Sequence, residues 1–479
     1  MQKLNNYING QLSHPINDAW LENINPATGQ IVNLIPDSDA SDVNLAMESA
    51  RKAFPDWSAT PAAERSRIML RLAELMENNL DKLAKEESID SGKPFLVSKT
   101  IDIPRAISNI RFFATAILHI QSESHATDQL AINFTLRQAV GVAVCISPWN
   151  LPLYLFTWKI APALASGNTV VAKPSELTPM TASSFSALCI EAGLPAGVLN
   201  IVQGLGHKAG AAMVAHEEVD LISFTGGTKT GATIASVAAP KFKKLSLELG
   251  GKNASIVFAD CEFENTVKET VRAAFSNQGQ ICLCGSRLLI ERSIYDRFKT
   301  AFIEEVKTIQ VGNPFDESSR MGSVISEAHM DKIISYIDLA KQEGGQIISG
   351  GNRIYPPGNE GGFFLEPTVI EGLGSQCRVN QEEIFGPVVS LIPFDADNEA
   401  IAIANGTEYG LAFSVWTSNL TRAHRLSADL KTGIVWVNCW MLRDLRTPFG
   451  GVKNSGVGRE GGWEALRFFT EAKNVCIKL

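Results

Sequence analysis

The chain of 479 residues contains no apolar run reaching the ~18 residues needed to cross a bilayer. Its opening, MQKLNNYINGQLSH, lacks the apolar centre of a secretion signal, so a cytoplasmic protein without a membrane partner is expected. Basic residues are the minority charge: 43 Lys and Arg against 51 Asp and Glu leave a formal charge of -8, with no basic stripe. Steering onto nucleic acid is thereby excluded. Cysteine is sparse and scattered, eight residues at 145, 189, 261, 282, 284, 377, 439 and 476, with no C-x2-C pair. That is not the dense spacing of a disulfide scaffold. No histidine lies near Cys282 and Cys284, so the further ligands zinc would need are missing and no metal is expected. Solenoid-length repeats and low-complexity tracts are absent as well.

What is present is the composition of a multidomain α/β protein, 45% hydrophobic and 20% charged, with 38 glycines spread along the length. Apolar residues recur three and four apart over Asp42 to Phe54 and Ala62 to Glu86, predicting helices. From Ala139 onward β-rich runs alternate with helical ones: GVAVCISPW, TVVAKPS, LNIVQG, LISFTGG and KKLSLELGG. Strand and helix alternating at this spacing predict a parallel sheet covered on both faces. A second alternation starts at NASIVFA and continues through Phe263 to Phe275, SRLLIERS and a helix from Tyr295. The reading is a first α/β domain over 1–121 and 138–249 and a second over 250–450, divided at the Gly250–Gly251 pair. Segments 122–137, with the strand-like AINFTLR, and 462–479, ending in NVCIKL, fit neither domain. Apolar strands near a terminus are open edges unless covered, so these are expected to pair with another subunit.

Two glycine patterns compete for a phosphate. GLGHKAG, from Gly204, misses the dinucleotide fingerprint by one position, whereas FTGGTKTG, Phe224 to Gly231, follows a strand and opens a helix whose free N–H groups favour an anion. Lys173 and Glu176, in VAKPSE, lie just past the carboxyl end of a strand. A carboxylate there accepts from a ribose 2′-hydroxyl and repels a 2′-phosphate, which favours NAD over NADP. The stretch NQGQICLCGSR leaves three readings of Cys282 and Cys284 open: a nucleophile with a bystander, half of a metal site, or two buried core thiols.

Taken in order, SPWN at 147–150, KPSE at 173–176, FTGGTKTG, LELGGKN at 247–253, FSNQGQIC at 275–282, EEIFGP at 382–387 and PFGGVKNSGVGRE at 448–460 resemble the aldehyde dehydrogenase superfamily over nearly the whole chain. The resemblance implies a Rossmann-like NAD-binding domain, an α/β catalytic domain and a small β arm for oligomerisation, giving a homodimer or homotetramer. It implies Cys282 as the nucleophile, a soft thiolate adding to an aldehyde. Glu248 is implied as the general base, with a pKa raised by apolar surroundings, and Asn150 as an oxyanion donor beside the Cys282 backbone N–H. Cofactor contacts are implied at Ile146, Trp149, Lys173, Glu176, Gly226, Gly227, Thr228, Leu249, Glu383 and Phe385. One departure is Gly227, where the family often has serine. Cys284 is read as a neighbour of the nucleophile, since a C-x-C disulfide closes too small a ring.

Outside these shared motifs, ISNIRFFATAILH at 107–119 is an apolar helical pattern interrupted by Arg111, and NCWMLRDLRTPFGG at 438–451 carries Arg443. With the CLC run and NLPLYLFTWKIAPALASGN they resemble dehydrogenases of 2-aminomuconate and 2-hydroxymuconate 6-semialdehydes. Such substrates have an aldehyde at one end and a carboxylate at the other. Arginine forks grip carboxylates in a bidentate way, so Arg111 and Arg443 are the expected substrate residues. The plainer reading of Arg111 is an ion pair with a protein carboxylate such as Asp444. Rival functions are oxidation of another small aldehyde such as betaine aldehyde, or a non-catalytic protein on the same fold.

Overall fold

The computed structural model describes residues 1–479. The β-branched runs from Val142 onward are buried on both faces, and they assemble as the central parallel strands of an eight-stranded sheet. In chain order these strands are Val142–Ile146, Thr169–Lys173, Leu199–Ile201, Leu221–Thr225 and Lys244–Glu248. The second and third lie on one side of the first, and the fourth and fifth on the other. This is the Rossmann-like order, and the reversal between Val142–Ile146 and Leu221–Thr225 opens a crevice at their carboxyl ends. SPWN leaves the first of these strands and TGGT the other, so both motifs emerge into that crevice. Antiparallel strands Gly456–Val457 and Asn6–Ile8 flank the parallel core.

The second alternation forms a seven-stranded sheet, parallel except for its edge strand Gln346–Ser349. Its first two strands, Ala254–Val257 and Arg287–Glu291, are joined through the helix Phe263–Phe275 and the Cys282 loop. AINFTLR and the tail pair with each other within the chain: Ala131–Ala139 runs antiparallel to Thr470–Lys478, with Ser124–Thr127 as a third strand. The expected Ala62 to Glu86 helix is broken at Asn79 into Ala62–Asn78 and Leu80–Ser91. No helix is long and apolar enough to cross a membrane.

Candidate active site

Two loops, that of Cys282 and that of Asn150, meet beside the strand end at Glu248, and side chains donate hydrogen bonds to the backbone carbonyls of each loop. The helix Phe263–Phe275 ends in three successive left-handed residues, Asn277, Gln278 and Gly279, which swing the chain back toward the sheet. Left-handed backbone at non-glycine residues is costly and persists only where the surroundings fix it. Here the amide of Asn253, from LELGGKN, donates to the carbonyls of Cys282 at 2.6 Å and Cys284 at 3.0 Å. Trp440 donates to Leu283 at 2.9 Å. The backbone N–H of Cys282 has no protein acceptor.

The Asn150 loop is fixed from below by a buried ion pair. Lys93 Nζ bonds Asp102 at 2.6 Å and donates to the Asn150 carbonyl at 3.0 Å, and Asn277 donates to the same carbonyl at 3.0 Å. The Asn150 side chain donates one N–H to Gln280 O at 2.8 Å. That bond sets the plane of the amide and leaves its second N–H available.

Glu248 ends the strand Lys244–Glu248, with 4% of its surface exposed and neither carboxylate oxygen bonded to protein. Burial first, and then the negative charge of Glu460, raise its pKa well above the ordinary carboxylate value. Glu460 itself pairs with buried Lys159 at 2.9 Å. Room for the Glu248 carboxylate depends on Gly450 of PFGG, where a Cβ would sit 2.7 Å from Oε1. The Cys282 thiol is also pushed up, chiefly by burial and then by Glu383 and Glu248, while the Arg443 charge opposes this.

A cavity of about 240 Å³ joins Cys282 and Asn150 to Trp149, Gly226, Gly227, Leu249, Glu383 and Phe385. Its wall includes the start of the helix Thr228–Ala238, which has no side-chain cap, so its first N–H groups are unspent. A Cβ added at Gly227 would meet nothing within 4 Å, so the space in front of that turn is open. Glu383 accepts from Gly251 N–H at 2.9 Å, and Gly250 leaves no room for a Cβ against its carboxylate. Lys173 pairs with Glu176 at 2.9 Å beyond the strand Thr169–Lys173, whose neighbour ends at Ile146. Thr228 heads the uncapped helix. The unspent N–H groups and the two half-buried carboxylates, Glu176 and Glu383, fit a dinucleotide: the former could take its phosphates and the latter its ribose hydroxyls. GLGHKAG does not line this cavity.

The two arginines part company. Arg443 bonds the Tyr154 hydroxyl at 3.0 Å and lies over the rings of Phe449 at 4.0 Å and Trp158 at 5.4 Å. It has no carboxylate partner, because Asp444 is taken by Arg446. Arg111 does not line the cavity: it is half-exposed and chelated by Glu77 of the neighbouring helix Ala62–Asn78. The arginine that joins Arg443 is instead Arg105, in the first turn of the same helix, Ile103–Ala116; both lie outside the lining of that cavity. Arg105 lies over Tyr154 at 5.4 Å and Trp158 at 5.8 Å, with Nε and Nη2 buried and unbonded. Sequence reasoning missed it, and also missed Tyr154, Asn253 and the Lys93–Asp102 pair.

A profile of the aldehyde dehydrogenase family matches residues 15–475. The chain belongs to the aldehyde dehydrogenase family. Among curated relatives, the 2-aminomuconic semialdehyde dehydrogenase of Bos taurus is 48% identical over 99% of this chain and 98% of its own length. The 2-hydroxymuconic semialdehyde dehydrogenase of a Pseudomonas species is 42% identical over the full length of both. Among solved structures, an indole-3-acetaldehyde dehydrogenase complexed with NAD+ superposes with a TM-score of 0.98, at 40% identity over 100% of this chain and 97% of that one. As an aldehyde dehydrogenase the chain is an oxidoreductase, and its two sheets and small β arm are that family's fold.

Proposed function

We propose that the protein oxidises an aldehyde bearing a remote carboxylate, 2-aminomuconate or 2-hydroxymuconate 6-semialdehyde, to the acid with NAD+. The observation that carries the substrate class is the pair Arg105 and Arg443 on the aromatic wall formed by Tyr154, Trp158 and Phe449, neither of them in a salt bridge with a protein carboxylate. Both side chains are half-buried, and the buried, unbonded Nε and Nη2 of Arg105 are costly unless a ligand supplies the acceptor. The names of the curated relatives point the same way. A cationic aldehyde such as betaine aldehyde would meet two like charges there.

Cys282 is the nucleophile. As its thiolate adds to the aldehyde carbon, the developing alkoxide is met by the free backbone N–H of Cys282 and the uncommitted N–H of Asn150, each such donor contributing about 3 kcal/mol in comparable sites. Bound NAD+ would supply the hydride acceptor. Loss of hydride from the thiohemiacetal carbon leaves a thioester on Cys282. Glu248, in its carboxylate form, takes a proton from the water that attacks this carbonyl, and acid and thiolate separate. Ile146, Trp149, Lys173, Glu176, Gly226, Gly227, Thr228, Leu249, Glu383 and Phe385 hold the cofactor.

We further propose the division into an NAD-binding domain over 1–121 and 138–249, a catalytic domain over 250–450 and an arm of 122–137 and 462–479. Leu130, Ile132, Leu136, Ile477 and Leu479 are exposed on the arm sheet, which suits a homodimer or homotetramer. All eight cysteines are unpaired, as in a reducing cytoplasm. The substrate reading is tested by inhibition: 6-hydroxyhexanoate should compete with the aldehyde, and 1,6-hexanediol should not. Equal inhibition by both would contradict a carboxylate grip.

A further inference from the structure

Glu383 and Phe385 belong to one short segment, and that segment is docked on a single face of the helix Glu327–Gln342. His329 Nε2 lies 2.7 Å from the Phe385 carbonyl oxygen. One turn on, Lys332 Nζ donates to the Glu383 carbonyl at 3.2 Å. Ile333 packs so closely on Gly386 that a Cβ there would have to displace it. Residues 329, 332 and 333 stand at i, i+3 and i+4, the spacing that puts side chains on one helix face.

The segment needs such a hold. Phe385 has φ of 62°, a left-handed conformation that a bulky aromatic rarely adopts, so its backbone stays there only if neighbours fix it. Its ring meets those of Trp149 at 5.3 Å and His329 at 6.2 Å, and Trp149 meets His329 at 5.3 Å, all steeply inclined to one another. Burial lowers the His329 pKa to about 4, so at neutral pH the imidazole carries one N–H. A carbonyl can only accept, which places that proton on Nε2.

We propose that His329, seconded by Lys332, is a positioning residue for the cofactor, holding the Phe385 and Glu383 carbonyls so that the phenyl ring and the carboxylate face the cavity where the nicotinamide end of NAD+ binds. The inference rests on the NAD+ reading of that cavity. A residue that only filled space at the helix start would tolerate a side chain of similar size; a hydrogen-bond donor would not.

The test compares His329→Leu, which removes the donor, with His329→Gln, which restores an N–H. Two quantities are read: the NAD+ dissociation constant of the cofactor-free protein by calorimetry, and the primary isotope effect with aldehyde deuterated at the formyl carbon. His329→Leu should weaken NAD+ binding about three- to tenfold and raise the isotope effect, as hydride transfer becomes slower than the later steps. His329→Gln should recover most of both. Unchanged values in His329→Leu, or equal losses in the two variants, overturn the proposal. Should His329→Leu fail to fold, Lys332→Met removes the companion bond and must weaken NAD+ binding in the same sense; no change there overturns it equally. If the parent protein itself binds no NAD+, the cofactor reading has failed rather than this inference.

Discussion

Replacing Arg105 by methionine should move stability and specificity in opposite directions. The guanidinium Nε and Nη2 are buried without an acceptor, and burial lowers the group's pKa. Its compensating contacts are the faces of Tyr154 and Trp158 at 5.4 and 5.8 Å. Such ring contacts contribute about 0.5–1 kcal/mol each, whereas exchanging a poorly compensated buried ion for a well-packed apolar side chain gains about 1–4 kcal/mol. Methionine is unbranched and flexible enough to fill the space, so the apparent melting temperature should hold or rise. The substrate loses a charge-assisted hydrogen bond of about 1.5–3 kcal/mol, which is about a ten- to 150-fold fall in kcat/KM for a muconate semialdehyde. Hexanal makes no such contact, and its kcat/KM should stay level or improve. If Arg443 grips the same carboxylate, the double variant Arg105→Met with Arg443→Met loses less than the sum of the two single losses. A fall in melting temperature together with equal losses on both aldehydes would refute the reasoning and make Arg105 a packing residue.

Cys282→Ala should abolish acid formation, while Cys284→Ala stays active: Cys284 is buried, with its thiol turned to the Ser276 carbonyl at 3.8 Å. The reverse pattern would exchange their roles. Glu248→Gln should form one equivalent of NADH and then stall as a thioester, seen as an acylated mass on Cys282; steady turnover would exclude the base role. Cys282 and Glu248 both have raised pKa values and, in the proposed mechanism, both react deprotonated, so activity should climb as pH rises through neutrality. A profile that is flat from about pH 6 to 9 would contradict those shifts. Glu460→Gln removes the charge that raises Glu248 and strands Lys159, and both changes favour the Glu248 carboxylate. The limb should move to lower pH while stability falls by about 3–5 kcal/mol in thermal or denaturant melts; an alkaline shift would show that another group controls the limb.

The sheets were legible in the sequence because buried parallel strands are written as continuous β-branched runs, and helices such as Phe263–Phe275 fall where the apolar spacing changes. Much of the cavity lining lies in short contiguous motifs, but His329 and Lys332 reach it from the helix Glu327–Gln342, which no motif marks. The arginine pair was not. Arg111 interrupts a strong apolar pattern and so draws the eye, but six residues along a helix turn the side chain to another face, toward Glu77. Arg105 sits one residue past Pro104 in the first turn, and nothing local shows that the helix packs Tyr154 and Trp158 beneath it. Likewise Lys93, paired with Asp102, reaches the Asn150 carbonyl across 57 residues, a contact that no periodicity encodes.

The most direct test of the account mixes the purified enzyme with 2-hydroxymuconate or 2-aminomuconate 6-semialdehyde and follows NADH by absorbance, with hexanal and NADP+ as the comparisons. One NADH per acid formed is expected, with a kcat/KM at least about tenfold above that for hexanal and faster turnover with NAD+ than with NADP+. Equal kcat/KM values for hexanal and both semialdehydes, or no NADH from either semialdehyde, would contradict it.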